Sequence, residues 1–408
     1  MDRLKLRVRH NKVILKKELI NLLEKLRIKD FLRKRMEMNT PAFGDTVEID
    51  NTKKNIFVLP NMPWTYRMQR PQQIFSRLAK RYNIFYISPI TSGTEYFCKV
   101  ADGIYEVHLQ TKVSGNVLRD FHLNTENEDS FVESFERLLG EYIKKSGSLL
   151  FVLHPVWKNV AFRVENVKRV YDLMDLYVGF SDAREEIVKG EGELIEGSDV
   201  VITTAQNLFD HAKKLNKNSY LVRNGCDYDM FSKLKKNGEL DSLEGKPILG
   251  YYGALTDWID AKTLEEVVKG NRDKYFVFIG AVNTDTLKPL YKYHNVYFLG
   301  EVSHSELPGY LAYFDVCMIP FALNDLILNT NPVKFYEYIC SGKPVIAPQL
   351  PELKQYSDIC YLYNNAEEFN GYINEALKEK KELKEKRKKA GKENSWENRV
   401  EEIIKIIK

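Results

Sequence analysis

The sequence predicts an α/β protein with two Rossmann-like domains, preceded by a basic amphipathic N-terminal helix. Three observations predict it: short apolar strands alternate with helical stretches, one polar segment interrupts the alternation, and basic residues are concentrated near the N-terminus. The chain has 408 residues, more than one hydrophobic core usually serves, so two domains of ordinary size are expected.

The N-terminal extension, residues 1–50, carries the basic charge of the chain. Residues 1–37 contain 13 Lys or Arg and 5 Asp or Glu, a net charge of +8, whereas the whole chain has +4, which leaves −4 for the rest. Residues 12–35 place leucines at helical spacing between these cations. The pattern predicts contact with an anionic membrane surface rather than with nucleic acid. A helix docked on the protein itself, or a partly disordered arm, is the alternative.

The first domain is predicted over residues 51–235. Helical stretches such as "PQQIFSRLAKRY" separate its short apolar strands, which are "NIFVLP", "NIFYISP", "SLLFVLHP", "DVVITT" and "SYLVRNG". This alternation is typical of βαβ units that build a parallel sheet.

The second domain is predicted over residues 245–390, after the polar segment "CDYDMFSKLKKNGELDSLEGK". Its strands are "PILGYYG", "KYFVFIG", "NVYFLG", "DVCMIPF" and "VIAP". Open parallel sheets bind ligands beyond the carboxyl ends of their strands, so we expect the two domains to share one inter-domain cleft. The chain ends in an amphipathic helix, residues 393–408.

The cysteines and the apolar segments indicate the cell compartment. Five cysteines are scattered without a CxxC pair, which predicts reduced thiols, no disulfide framework and no zinc site. Neither a membrane-spanning apolar run nor a signal peptide is evident. We therefore expect a cytoplasmic protein that associates peripherally with the inner face of the membrane.

The segment "NTNPVKFYEYICSGKPVIAP", residues 329–348, carries the clearest chemical pattern. Asn331 is a good N-cap and Pro332 suits the first helical position, so the segment predicts a helix whose N-terminus can bind an anion. Lys334 and Glu337 then share one face of the helix. The cation suits a diphosphate and the carboxylate suits the vicinal hydroxyls of a ribose, with an exposed ion pair as the alternative.

Five segments in order resemble one enzyme family. "NPVKFYEYICSGKPVIAPQLPEL" is similar to the nucleotide-sugar segment of GT-B glycosyltransferases, and "QRPQQIFSRLAK" resembles the acceptor-side loop of bacterial surface-polysaccharide members, including those of teichuronic acid synthesis. The other matching segments are "VVITTAQNLFDHAKK…VRNGCDYDMF", "ILGYYGALTDWID" and "NVYFLGEVSHSELPGYLAYFDVCMIPF". The resemblance to this group 1, family 4-like superfamily covers residues 55–408 and implies that the last helix crosses back to the first domain.

The resemblance implies a donor site in the second domain. Glu337 would hold the ribose, Lys334 with the amides near Asn331 the diphosphate, and backbone groups at Val302 and Ser303 the base. Gly253 would let the backbone approach a phosphate closely. The residues implied for donor binding are Gly253, Val302, Ser303, Asn329, Thr330, Asn331, Lys334 and Glu337.

The first domain would supply the remaining catalytic groups. The resemblance places His154 near the donor sugar and Arg70 on the acceptor side. The loop "GALTDW" lacks the cation that many relatives place there, so either Arg70 or Lys262 would aid Lys334 at the diphosphate. An inverting enzyme needs a carboxylate base for the acceptor hydroxyl, and Asp172 and Asp175 are the candidates, with turn or capping residues as the alternative.

One departure from the family concerns the stereochemistry of transfer. Retaining members often carry a second glutamate eight residues before the one matching Glu337, and here that position is Asn329. Retention of the anomeric configuration is still expected, although the missing carboxylate leaves the outcome open.

The predicted function is transfer of a sugar from a UDP- or GDP-linked donor to a glycan or lipid-linked acceptor in cell-surface polysaccharide synthesis. No metal ion or other cofactor is expected: the D-x-D in "CDYD" lies in a hinge motif, where Asp227 would cap a turn. A nucleotide-sugar epimerase of the same fold and a non-catalytic partner subunit are the alternatives.

Overall fold

The structure, a computed structural model, describes residues 9–16, 48–91, 93–112, 114–120, 125–179 and 184–408. The chain divides into two compact units. The N-terminal unit contains the described residues from 48 to 224, with 329–331 and 396–408, and the C-terminal unit contains 9–16, 225–328 and 332–395. Each unit therefore includes segments from distant parts of the chain.

The first described element, α1, is a helix over residues 9–16 that belongs to the C-terminal unit. Its His10 is buried, Val13 packs against the core of that unit, and Leu15 is exposed. The part of the predicted amphipathic helix that the structure describes thus lies on the protein itself. The remainder of that helix and of the predicted membrane-binding segment lies outside the described residues.

The N-terminal unit is built on an eight-stranded sheet with the order β10-β9-β8-β7-β1-β2-β5-β4. All neighbouring strands are parallel except β4, which runs antiparallel to β5. Residues 55–59 of β1 are fully buried because both faces of the sheet are covered. The strands of the N-terminal unit, including the two outside this sheet, are β1 (Lys54–Leu59), β2 (Tyr82–Ile87), β3 (Ile90–Thr91), β4 (Tyr96–Ala101), β5 (Ile104–His108), β6 (Gly115–Asn116), β7 (Leu149–Val152), β8 (Lys168–Leu173), β9 (Val200–Thr203) and β10 (Ser219–Leu221).

The helices of this unit connect those strands, and β3 and β6 form a separate two-stranded sheet. The α-helices are α2 (Arg70–Leu78), α3 (Val117–Asp120), α4 (Thr125–Ile143), α5 (Lys158–Arg163), α6 (Glu185–Gly197) and α7 (Gln206–Leu215). Two 3-10 turns, Pro155–Trp157 and Tyr177–Gly179, follow β7 and β8. They lie at the carboxyl edge of the sheet, where a doubly wound fold places its ligands.

The C-terminal unit has a six-stranded parallel sheet with the order β13-β12-β11-β14-β15-β16. This is a doubly wound order whose direction of winding reverses between β11 and β14. Its strands are β11 (Ile248–Tyr252), β12 (Tyr275–Ile279), β13 (Val296–Phe298), β14 (Val316–Met318), β15 (Val345–Pro348) and β16 (Tyr361–Tyr363). Its helices are α8 (Tyr228–Ser232), α9 (Ala261–Gly270), α10 (Leu307–Leu311), α11 (Asp325–Leu328), α12 (Val333–Ser341), α13 (Ala366–Ala376) and α14 (Lys381–Glu393), with 3-10 turns at Asp241–Leu243, Lys288–Lys292, His304–Glu306 and Pro351–Tyr356.

The last helix, α15 (Trp396–Ile407), belongs to the N-terminal unit although it follows the whole C-terminal unit in sequence. Trp396 is only 1% exposed, and the isoleucines of the same face are also buried. Ion pairs join Glu397 to Arg77 at 2.6 Å and Glu401 to Arg81 at 2.6 Å. The apolar face of the helix and its acidic flank therefore hold it on α2 and the strands beside it.

The expectation that all five cysteines are unpaired is wrong for two of them. Cys226 and Cys340 form a disulfide within the C-terminal unit, whereas Cys98, Cys317 and Cys360 are free. The pair is separated by 114 residues and contains no local spacing motif. Only the packing of α12 beside the segment that begins at residue 225 brings the two sulfur atoms together.

Candidate functional site

Three neighbouring strands of the C-terminal sheet are each followed closely by a glycine. Gly253 follows β11, Gly280 follows β12 and Gly300 lies just after β13, with φ angles of 144°, 147° and 74°. A Cβ at Gly280 would lie 1.9 Å from the carbonyl oxygen of Gly253, so only glycine fits this approach. The carboxyl edge of the sheet is consequently lined by backbone. Gly280 was not among the predicted residues, although "YYG", "FIG" and "FLG" show the repeated signal.

The side chain of Lys334 lies directly against Gly253. A Cβ at Gly253 would lie 2.8 Å from the Cε of Lys334 and 2.7 Å from the hydroxyl oxygen of Tyr251. Lys334 is the second residue of α12, next to the positive end of the helix dipole. The fold thus brings a cation, a helix N-terminus and a glycine together at the point where the winding of the sheet reverses.

The start of α12 differs by one residue from the sequence-based expectation. Pro332 is the N-cap and the helix begins at Val333, whereas Asn331 was expected to cap it. The carboxamide oxygen of Asn331 accepts a hydrogen bond from the backbone N–H of Asn224 at 3.0 Å, and its carbonyl accepts one from the Asn224 side chain at 2.7 Å. Asn331 is engaged in the N-terminal unit, so the helix starts after it. Gly342, at φ 77°, ends the helix.

Glu337 is a buried carboxylate and not part of an exposed ion pair. The Oε1 of Glu337 lies 3.3 Å from the Nε2 of His304. The Glu337 residue is only 5% exposed. Burial, together with the nearby negative charge of Glu337, raises the pKa of Tyr252 far above its usual range. The buried carboxylate of Glu337 thus has both His304 and Tyr252 beside it. His304 was not predicted, and its position after the predicted Val302 and Ser303 was the available signal.

Val302 and Ser303 lie in the loop that carries His304. Val302 packs against the core of the unit, and the backbone N–H and hydroxyl of Ser303 both contact Oε2 of Glu306, at 3.0 and 2.6 Å. The amide of Ser303 is therefore engaged by Glu306, and the proposed contact with a nucleotide base stays a prediction.

Asn329, Thr330 and Asn331 group with the N-terminal unit, whereas Lys334 and Glu337 belong to the C-terminal unit. The predicted site residues thus form two groups, one in each unit. Gly253, Lys334, Glu337 and the loop at Val302 and Ser303 make up the group at the carboxyl edge of the C-terminal sheet.

In the N-terminal unit, Arg70 and Asp172 form a buried bidentate ion pair. Nε and Nη2 of Arg70 each donate to one carboxylate oxygen of Asp172 at 3.0 Å, and both side chains are 4% exposed. Nη1 of Arg70 donates to the side chain of Asn224 at 3.2 Å. Because Asp172 neutralises Arg70 and accepts two of its hydrogen bonds, the pair is suited to holding the start of α2 against the end of β8.

His154 follows β7 and has a defined protonation state. Its Nδ1 accepts a hydrogen bond from the backbone N–H of Val156 at 3.1 Å, and burial lowers the pKa of His154 to about 4. The ring packs edge-on against Tyr177, with centroids 4.7 Å apart. At neutral pH the imidazole is therefore uncharged and presents the Nε2 proton as a hydrogen-bond donor.

Two acidic side chains that interact with Tyr177 have raised pKa values. Burial, with a contribution from the neighbouring charge of Asp172, raises the pKa of Asp175 to about 6. Burial likewise raises the pKa of Glu191 to about 7, and Glu191 accepts a hydrogen bond from the backbone N–H of Tyr177 at 3.1 Å. Glu191 was missed because it lies in the middle of α6, where a glutamate usually indicates an exposed helix face.

Two further findings concern metals and membranes. Asp227 caps α8 by accepting a hydrogen bond from the backbone N–H of Met230 at 3.1 Å, as the sequence predicted.

Among the described residues, no group of three or more His, Cys, Asp or Glu side chains is arranged to hold a metal ion. Within the same residues, none of the helices combines the length and the apolarity that crossing a bilayer requires.

The sequence of this chain is similar to those of known glycosyltransferases. Residues 246–379 match the family described as "Glycosyl transferases group 1". Over 200 residues the chain is 26% identical to the "Putative teichuronic acid biosynthesis glycosyltransferase TuaH" of Bacillus subtilis (strain 168), a match that spans 45% of this chain and half the length of that relative.

Solved structures resemble nearly the whole chain. Sucrose-phosphate synthase from Thermosynechococcus elongatus has a TM-score of 0.68 at 15% identity and covers 87% of this chain and 98% of its own. HepE from Anabaena, solved with UDP and glucose, has a TM-score of 0.64 at 13% identity and covers 86% and 98%. The chain has the GT-B fold, and the resemblance to GT-B glycosyltransferases indicated by its motifs is confirmed.

Proposed function

We propose that this chain is a glycosyltransferase that moves a sugar from a nucleotide-sugar donor to an acceptor. The observation that supports it most directly is the contact of Lys334 with Gly253 at the N-terminus of α12. Glu337 lies one turn further along the same helix, buried and in contact with His304. The match of residues 246–379 to group 1 glycosyltransferases supports the same function.

The donor site would act mainly on the leaving group. When a sugar leaves a nucleoside diphosphate, negative charge grows on the diphosphate, and the Lys334 ammonium with the helix N-terminus would stabilise it. An ionised carboxylate offers only acceptors, so Glu337 would take hydrogen bonds from the two ribose hydroxyls. We propose that the reaction needs no metal ion, since Lys334 and the helix dipole supply the positive charge.

For the donor and for the acceptor we propose a chemical class and not a single compound. HepE was solved with UDP, which makes a UDP-linked sugar the first choice for this chain and a GDP-linked sugar the second. The likeness to the teichuronic acid relative favours a glycan or lipid-linked acceptor of cell-surface polysaccharide synthesis, reached at the cytoplasmic face of the membrane.

In the N-terminal unit, neutral His154 would donate a hydrogen bond from its Nε2 to a hydroxyl of the donor sugar. Only if transfer inverted the configuration would a carboxylate have to take the proton of the acceptor hydroxyl, and Asp175 is then the candidate. Asp172 is less suited to accept a proton because Arg70 occupies both of its oxygens. We propose retention of the anomeric configuration, and identification of the product anomer by NMR tests it.

A thermal-shift measurement with UDP, GDP, CDP and ADP tests the donor site. A ligand at 100 times its Kd stabilises the folded state by about 2.7 kcal/mol, so one nucleotide should raise the Tm clearly. Glu337→Gln should lose that shift, whereas Glu382→Gln, on the exposed side of α14, should keep it. If no nucleotide stabilises the wild-type protein, the donor-site proposal is wrong.

Product analysis distinguishes transfer from epimerisation. A transferase releases the nucleoside diphosphate only as an acceptor is glycosylated, apart from slow hydrolysis, whereas an epimerase converts the donor without an acceptor. Acceptor-dependent release of UDP is the expected result.

A further inference from the structure

Helix α1 covers the open edge of the sheet in the C-terminal unit, which carries the proposed donor site and is called the donor unit below. β13 is the edge strand, and the backbone N–H of Phe298 donates to Nδ1 of His10 at 3.1 Å. His10 is 2% exposed, and its ring packs against Phe298 and Tyr291 with centroid distances of 5.7 and 6.4 Å. A side chain from the N-terminal extension thus takes the place of a neighbouring strand at this position.

Arg9 is attached to the residue that follows the strand. Its Nε donates to the carbonyl of Leu299 at 2.7 Å, and its Nη1 donates to the hydroxyl of Tyr310 at 3.0 Å and to Glu239 at 3.1 Å. A guanidinium that makes three such contacts is held in one orientation, so it fixes the carbonyl it binds.

Val13 extends the contact by one more residue. A Cβ placed on Gly300 would lie 3.1 Å from the Cγ2 of Val13, so this side chain packs on the glycine. Gly300 in turn accepts a hydrogen bond from the backbone N–H of Gly280 at 2.8 Å. Residues of α1 therefore contact three successive backbone positions, 298, 299 and 300.

The contacted backbone leads directly into the donor site. Four residues after Gly300, the Nε2 of His304 lies 3.3 Å from Oε1 of Glu337. The loop between them carries Val302 and Ser303, which are expected to meet the base. The position of this loop, and with it the orientation of the Glu337 carboxylate, depends on where the backbone of residues 298–300 is held.

We propose that Arg9 and His10 are positioning residues for the nucleotide-sugar site, acting through the 298–304 loop. Residues 9–16 of the N-terminal extension then belong to the donor unit in function as well as in structure. The inference rests on the proposed function, because it assigns these residues to the nucleotide-binding carboxylate of that site.

The test measures UDP affinity in the full-length protein. Arg9→Met and His10→Ala, combined, should raise the Kd for UDP and the donor KM by roughly 2- to 30-fold, the range expected for indirect coupling, with a smaller change in kcat. Lys16→Met removes the same charge from an exposed position of α1 and should leave the Kd unchanged. His10→Asn keeps an acceptor near the position of Nδ1 and should restore part of the affinity lost in His10→Ala.

A purely structural role predicts a different result. It would lower the Tm of the apo protein and leave the Kd unchanged at a temperature well below that Tm, and this outcome would overturn the proposal. If the double variant does not fold, the Kd for UDP of the single variant Arg9→Met tests the proposal, because the Arg9 side chain is only partly buried. If wild-type protein binds no UDP or other nucleotide, the proposed function itself fails; if wild type binds and the variants bind equally, only this inference fails.

Discussion

At the scale of single residues, Glu191 links the chemistry of the N-terminal unit to its stability. Burial raises the pKa of Glu191 from 4.5 to about 7, so the folded protein holds this proton to a higher pH than the unfolded chain does. Between these two pH values the folded state binds more protons, and the free energy of unfolding therefore falls as the pH rises. A shift of this size corresponds to roughly 3 kcal/mol at pH 8.

Glu191→Gln should remove this loss of stability. The glutamine oxygen still accepts from the N–H of Tyr177, but it carries no charge to desolvate. We expect the variant to gain stability over wild type as the pH rises from 5 to 8, measured by urea denaturation at both values. Glu196→Gln, on an exposed position of the same helix, is the control, and equal pH dependence in all three proteins would contradict the assignment.

Gly253 is the residue where a single methyl group tests the geometry of the donor site. Its φ of 144° is unfavourable for other residues, and a Cβ would press on Lys334. Gly253→Ala should cost roughly 1–3 kcal/mol of stability and weaken UDP binding. The measurements are thermal unfolding and calorimetric titration.

The matched control is Gly371→Ala in α13, where no atom outside the adjacent residues and the backbone of the helix itself lies within 4 Å of the new methyl. Alanine is the better helix former, so this change should stabilise by about 0.5–1 kcal/mol. If both alanine variants bind UDP as wild type does, the Gly253 contact is irrelevant to the ligand.

At the scale of elements, α15 shows how one helix stabilises a unit that is distant in sequence. Trp396 is 1% exposed, so Trp396→Ala should cost about 3–5 kcal/mol through lost burial and the cavity left behind. Chemical denaturation should show a lower midpoint. Lys405→Ala, on the exposed face of the same helix, should change stability by less than about 0.5 kcal/mol.

Helix α12 shows which features of an element are determined by the sequence of that element itself. The i, i+3 spacing of Lys334 and Glu337, and the stop at Gly342, follow from the sequence of the segment itself. Its first residue did not, because Asn331 is held by Asn224 and Pro332 takes the capping position. The burial of most of its residues, and not of one face alone, also depends on the surrounding unit.

At the scale of the whole molecule, each unit has its own hydrophobic core and takes in one end of the chain. Calorimetry should therefore resolve two unfolding transitions. UDP should raise the transition of the C-terminal unit, and Trp396→Ala should lower the other. A single transition that responds to both changes would show that the units unfold as one.

The sequence by itself determined the features that depend on neighbouring residues. Strands, helices, the glycines that follow three strands of the C-terminal unit, and the spacing of Lys334 and Glu337 all follow from periodicity, capping and turn chemistry. These are local preferences of the chain, so they can be read without knowing which segments meet. The motifs that indicated the GT-B fold are of the same kind.

The tertiary structure alone decided which distant residues share a site. Lys334 meets Gly253, His304 meets Glu337 and Arg70 pairs with Asp172 across many tens of residues. The docking of α1 on β13, the disulfide and the raised pKa of Glu191 depend on packing as well. Contacts and burial are properties of the folded chain, and no local pattern in the sequence encodes them.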